Sequence, residues 1–224
     1  MVPKNKIRKF QENLTFPNLF QIEYHDLIAK GCKLKGNWHQ TYFKNENPII
    51  LELGCGKGEY TVGLANKYPH HNYIGVDIKG ARLWRGAMSS IEQNLTNTAF
   101  IRTQIETIDF YFEKNEVSEI WVTFPDPQPK PLKAHKRLIS PRFLEIYKRF
   151  LTPSGVIHLK TDNLNLFEYC LEMIKMEKHE LMLQTKDLYN SDIEEDVKNI
   201  QTYYETRYLR EGKKINYLKF RLHE

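Results

Sequence analysis

At 224 residues the chain is long enough to bury about 70% of its unfolded surface as one domain, so no second folding unit is required. Its 41% apolar and 27% charged residues are those of a soluble globular protein, and no apolar run approaches the ~20 residues of a membrane helix. The net charge of +5 is modest but clustered: residues 1–47 hold eight Lys or Arg against four acids, and residues 125–150 hold seven against Asp126 and Glu145, a distribution suited to a polyanionic partner.

Residues 1–45 have weak periodicity and many aromatic and basic side chains, which predicts an arm packed on a single domain spanning 46–224. The basic segment Met1–Lys9 has no apolar stretch behind it, so no signal peptide is expected and the chain is placed in the cytoplasm. Cys32, Cys55 and Cys170 are odd in number, widely spaced and free of any C-x-x-C pairing, and the eight histidines form no H-E-x-x-H; neither a disulfide framework nor a metal site is expected.

From residue 48 onward strands and helices alternate. Strand 48–53 runs into a glycine loop and helix 59–67; strand 72–77 precedes helix 80–94; strand 98–102 precedes a helix near 106–113; strand 117–124 ends at Phe124. A proline-rich loop then leads to helix 141–151, with Pro141 in a favourable first-turn position after Ser140, strand 155–162 and helix 164–178. This repetition predicts an α/β fold with a doubly wound, mostly parallel sheet and right-handed crossovers. The end differs, because Ile215–Leu222 alternates at period two, as a late antiparallel strand beside 181–185 would.

The chemistry concentrates at the ends of strands. The loop after the first strand reads Glu52-x-Gly54-x-Gly56-x-Gly58, where glycines permit a sharp turn and let a ligand approach the backbone. Pyrophosphate favours a helix N-terminus with no carboxylate beside it, and Glu52 would repel it. The same carboxylate suits the ammonium or sulfonium charge of S-adenosylmethionine. Asp77 closes the second strand where an acidic side chain accepts from ribose hydroxyls. Strand 117–124 delivers Phe124-Pro125-Asp126-Pro127-Gln128-Pro129-Lys130 to the same sheet edge; alternate prolines stiffen the loop and hold Asp126 beside the pocket, while Lys130, Lys133, His135, Lys136 and Arg137 supply charge for phosphates. Thr202 and Glu205, three apart, either reach one base edge together or form an N-terminal capping box.

Four ordered segments, LELGCGKGEY, FPDPQPKPLKAHKRL, LKTDN at 159–163 and TYYETRYLREG at 202–212, resemble those of the bacterial tRNA (guanine-N7-)-methyltransferases, the TrmB family, over roughly residues 45–222. The resemblance implies a Rossmann-like class I S-adenosylmethionine-dependent methyltransferase fold, with guanine 46 of the tRNA variable loop as acceptor. It also implies cofactor contacts from Glu52, Asp77, Gln104 and Asp126, catalysis by Asp126, and substrate contacts from Lys130, Asp162 and the segment Thr202, Tyr203, Tyr204, Glu205. The family's loop usually reads D-P-W-P-K before a denser basic run, whereas this chain has Gln128 in place of the Trp and so lacks that ring. Two other readings stay open at this level. One is a methyltransferase for another RNA base, since FPDPQP is superficially like a [DN]-P-P-[YF] loop; the other is a non-catalytic RNA-binding protein on a methyltransferase scaffold. The sequence also leaves monomer and homodimer open.

Overall fold

Apolar strands too uniformly buried to alternate build the centre of the molecule. In the computed structural model, which describes residues 4–193 and 195–223, β2 (Ile49–Leu53) is buried at every position, as is β3 (Asn72–Asp77), and each is covered on both faces. Eight strands form one sheet. Besides β2 and β3 they are β1 (Leu19–Gln21), β4 (Thr98–Arg102), β5 (Val117–Thr123), β6 (Leu151–Thr161), β7 (Glu180–Thr185) and β8 (Asn216–Arg221), in the order β1-β4-β3-β2-β5-β6-β8-β7. All pairings from β1 to β6 are parallel, and β8 inserts antiparallel between β6 and β7, giving the doubly wound sheet with a late antiparallel strand that the sequence predicts.

The chain leaves β2 towards β3 and β4 and later returns to the other side of β2 with β5. The order therefore reverses at β2, and the crevice beyond the carboxyl ends of β2 and β5 is where open α/β sheets bind ligands. Helices α3 (Glu59–Lys67) and α4 (Gly80–Glu92) follow β2 and β3; α5 (Pro141–Lys148) and α6 (Leu164–Met176) flank β6; α7 (Glu195–Asn199) and α8 (Tyr203–Arg210) precede β8.

Residues 4–45 are more ordered than their weak periodicity suggests. Helix α1 (Lys4–Asn13) packs on α4, where the Asn13 amide donates to Gly80 O at 2.9 Å, and β1 extends the sheet parallel to β4. After α2 (Tyr24–Lys30), a π-helical turn over Trp38–Phe43 carries the fully buried Trp38, whose indole donates to Tyr111 O at 2.9 Å. A three-residue strand is too short to show an alternation, which is why the sequence did not reveal it.

Two other expectations shift. The helix near 106–113 is a 3₁₀ segment, Ile105–Phe110, because the Thr107 hydroxyl bonds back to Gln104 O at 2.9 Å and Thr107 leaves helical geometry at φ −113°. Strand 155–162 begins earlier, at Leu151, and helix 141–151 ends correspondingly at Lys148; the register with β5 jumps from Val117↔Leu151 to Glu119↔Val156, leaving Pro153, which has no N–H to donate, in the irregular part.

Candidate active site

A cavity of about 800 Å³ opens at the carboxyl ends of β2, β3 and β5, within the size range of cofactor pockets. Glu52, Gly54, Gly56, Asp77, Gln104 and Asp126 all line it, so the structure brings together every side chain and glycine assigned to the cofactor.

Glu52 lies at the buried end, 3% exposed. One of its oxygens accepts from Thr61 N at 2.9 Å and the Thr61 hydroxyl at 2.5 Å, and the other accepts from the Thr123 hydroxyl at 2.7 Å. Burial raises its carboxyl to about 7, and the threonine hydrogen bonds hold it from going further.

The glycine loop divides its work. Gly54 and Gly56 have φ of +76° and +58°, and nothing but Leu138 comes near the Cβ that either would carry, so their faces stay open to the cavity. Gly58 has a packing role, since a Cβ there would stand 2.6 Å from the Phe100 ring. Asp77, at the end of β3, accepts from Gly56 N at 2.9 Å and Lys79 N at 2.7 Å, tying the loop after β2 to the turn before α4. Gln104 is exposed on the cavity wall just before the 3₁₀ segment.

The proline loop is shaped by two residues in left-handed backbone geometry, Phe124 at φ +48° and Gln128 at φ +45°, one at each end of Pro125-Asp126-Pro127. Exposed Asp126 accepts from Gln128 N at 3.0 Å. Arg137 is not a free phosphate ligand: its guanidinium donates to Pro127 O at 3.1 Å and Gln128 O at 3.2 Å and stacks 4.2 Å from the Tyr169 ring, clamping the loop from behind. Lys136 lines the cavity, whereas Lys133, on a 3₁₀ turn over Pro131–Lys136, and Lys130, just before that turn, are exposed outside it.

The substrate assignments divide. Thr202, Tyr203 and Tyr204 line the cavity mouth, with Tyr203 57% and Tyr204 41% exposed. Glu205 departs from expectation: it is fully buried, with its carboxylate 2.6 Å from Lys160 Nζ and accepting from the Tyr189 hydroxyl at 2.9 Å, and it does not line the cavity. The capping box is only half formed, because Thr202 Oγ1 accepts from Glu205 N at 3.1 Å while the Glu205 carboxylate goes to Lys160. Asp162 is also engaged elsewhere. It pairs with Lys213 at 2.8 Å, off the cavity wall, and Lys213 sits 4.2 Å from the Tyr208 ring that does line the mouth.

Residues 46–218 match the family described as "Putative methyltransferase". The tRNA (guanine-N(7)-)-methyltransferase of Christiangramia forsetii is 49% identical over 223 residues, covering 99% of this chain and 100% of the relative. That of Bacteroides thetaiotaomicron is 49% identical over 219 residues, covering 98% of this chain and 86% of the relative. The chain belongs to the tRNA (guanine-N7-)-methyltransferase family. Among solved structures, an antibiotic-related methyltransferase superposes with a TM-score of 0.63 over 88% of this chain and 98% of that one at 18% identity, a likeness of fold alone that supports the class I methyltransferase sheet.

Membership does not by itself reveal which other residues shape the cavity. Thr61 and Thr123, the two hydroxyls holding Glu52, were missed; Thr123 stands directly before the proline loop, the one hint the sequence carried. Lys57, Phe143 and Tyr208 also line the wall, and none stands out in the sequence without the topology. Lys160 is an anomaly visible in the sequence, a cation directly after the mostly apolar run Val156–Leu159 of β6.

Proposed function

We propose that this chain transfers the methyl group of S-adenosylmethionine to N7 of guanine 46 in the variable loop of tRNA. The observation that carries the reading is the single cavity on which Glu52, Asp77 and Asp126 converge in a chain of this family. The pocket fits the cofactor chemically: Glu52 offers a buried carboxylate to its cationic part, and Asp77 offers carboxylate oxygens beside the open glycine backbone to its ribose. When bound there, S-adenosylmethionine supplies the electrophilic methyl group.

Guanine N7 carries a free lone pair on its major-groove edge, so no proton has to be removed before attack. The chain's task is alignment, which contributes up to about 7–11 kcal/mol of barrier reduction in favourable cases. Asp126, held at the mouth by proline-restricted backbone and the Arg137 clamp, accepts from guanine N–H groups and balances the positive charge that develops on the base. Tyr203 and Tyr204 present exposed rings beside it for an unstacked base, and no metal is required by this chemistry. Extracting the base from its tertiary contacts costs a few kcal/mol by analogy with base flipping.

The test is incubation with unmodified tRNA and methyl-labelled S-adenosylmethionine, followed by nucleoside digestion. Label in 7-methylguanosine, lost when guanine 46 is replaced by adenine, is the expected result. Label in a methylated adenine or cytosine moves the enzyme to another acceptor, and no label in any nucleoside makes the chain a binding protein.

A further inference from the structure

A lysine is costly to bury, and Lys160, near the carboxyl end of β6, is buried completely. The residues its side chain meets, Tyr60, Val197 and Ile200, belong to an apolar cluster. Burial drives its ammonium towards the neutral form, and the adjacent Glu205 carboxylate opposes that. Nζ donates to Val197 O at 2.9 Å, pairs with Glu205 Oε1 at 2.6 Å and lies 5.2 Å from the Tyr60 ring. One cation on the sheet thereby grips α7 through a backbone carbonyl and the first turn of α8 through a side chain. The backbone of Lys160 makes a second connection, because its carbonyl accepts from Phe124 N at 2.8 Å at the point where the loop carrying Asp126 leaves β5.

Replacing a buried ion pair by apolar residues of similar volume is often neutral or stabilising, so the pair is weakly explained by stability alone. What it does supply is direction: the ammonium ties α7 and α8 to β6, while the Lys160 carbonyl ties down the start of the proline loop. Thr202, Tyr203, Tyr204 and Tyr208, on either side of Glu205 in sequence, are the part of α8 that forms the cavity mouth. A second tether, Glu59 accepting from Tyr203 N at 2.7 Å, joins the same turn to α3.

We propose that Lys160 is a positioning residue for methyl transfer: through Glu205 and Val197 O it fixes the α8 aromatic wall beside the Asp126 loop. This rests on the functional reading above. It assigns Glu205 to holding the wall through Lys160, which accounts for a carboxylate that is buried where a substrate contact was expected.

The experiment compares the wild-type chain with Lys160→Met and with Lys160→Met/Glu205→Leu, the double change leaving no unpaired buried charge. Amide exchange is measured without tRNA; S-adenosylmethionine affinity is measured by calorimetry, and single-turnover methylation at saturating tRNA and cofactor. In both variants amides of residues 195–210 should exchange at least about tenfold faster while β2, β3 and β5 stay protected, and methyl transfer should fall about a hundredfold, as expected when a reacting group is misplaced by ~1 Å. Cofactor affinity should stay within about threefold, and the double variant should regain the wild-type melting temperature without regaining the rate. A double variant with wild-type exchange over 195–210, or with wild-type rate, overturns the assignment. So does one that fails to fold, since the pair would then be holding the fold together. If the wild type methylates no tRNA guanine, the functional reading fails alone, because the exchange comparison still decides whether Lys160 holds α8.

Discussion

Glu52 and Asp126 are two carboxylates on one cavity with opposite surroundings, and that difference assigns them different work. Glu52 is buried behind two threonines with its carboxyl raised to about 7, above its ordinary value of 4.5. A group raised in the folded state favours folding below its unfolded pKa and withdraws that contribution as pH climbs through the folded one; cation binding has the reverse sense, because only the ionised form attracts it. S-adenosylmethionine affinity is therefore expected to rise with pH between about 5.5 and 7, approaching about tenfold per unit at the acid end, and to level off above. Calorimetry at pH 6.5 in buffers of different ionisation enthalpy should register proton release on binding, and Glu52→Gln should abolish it. A pH-independent affinity in the wild type would remove Glu52 from the cationic end of the ligand. Asp126 is exposed, and its loop is placed by backbone geometry and Arg137, so Asp126→Asn should fold normally. Removing its charge and exchanging one acceptor for a donor is expected to lower single-turnover methylation by about a hundredfold or more at saturating cofactor. A rate within about threefold of wild type would leave Asp126 a structural loop residue.

At the scale of elements, the arrangement depends on one phenylalanine. Phe100 of β4 fills the space left by the missing side chains of Gly58, Gly75 and Gly86, letting α3 and α4 close on the sheet beside the cofactor loop. Gly86→Ala is a direct contest of effects. Alanine in a helix interior gains about 1 kcal/mol over glycine, whereas the new Cβ would lie 2.7 Å from the Phe100 ring and 2.8 Å from Lys57 O, and overpacking of that kind costs about 1–3 kcal/mol. Urea unfolding should find the variant less stable by up to about 2 kcal/mol; a stabilised variant would mean that the α3–α4 contact is loose. The elements built on long, regular patterns were legible from sequence: the buried strands, the βα repetition and the period-two tail of β8 all fall within a few residues of expectation. What was not legible depends on distant partners. Nothing local marks Leu19–Gln21 as a strand until β4 is beside it, and T-x-x-E reads equally as a capping box or a substrate contact until Lys160 is found against Glu205. Arg137 looked like one cation among many because the carbonyls it clamps belong to a loop whose turn depends on Phe124 and Gln128 taking positive φ, which neither residue type advertises.

For the molecule as a whole, positive charge borders the cavity mouth on both sides. Lys79 and Arg82 of the β3–α4 region lie on one wall, with α1 and its Lys6, Arg8 and Lys9 packed against α4, while Lys130 and the turn bearing Lys133 and Lys136 follow the proline loop. A polyanion wider than the mouth would meet both borders at once, which suits an RNA with its phosphates on the rims and one base in the cavity. Cations that touch phosphate and cations that hold the loop make separable predictions. Lys130→Gln/Lys133→Gln should weaken tRNA binding and flatten the plot of log affinity against log salt by roughly 0.7–0.9 for each phosphate that is no longer neutralised, with cofactor affinity unchanged. Arg137→Gln should leave that slope close to wild type, because its guanidinium is committed to Pro127 O, Gln128 O and the Tyr169 ring. Its effect should fall on catalysis instead: releasing the clamp lets Asp126 drift, and a displacement of ~1 Å costs up to about a hundredfold in rate at saturating tRNA. Filter binding across a salt series and single-turnover assays separate the two. An Arg137→Gln variant that loses salt slope and keeps its rate would move Arg137 onto the RNA, and unchanged slope in the double lysine variant would make that turn a solvated face that does not touch the substrate.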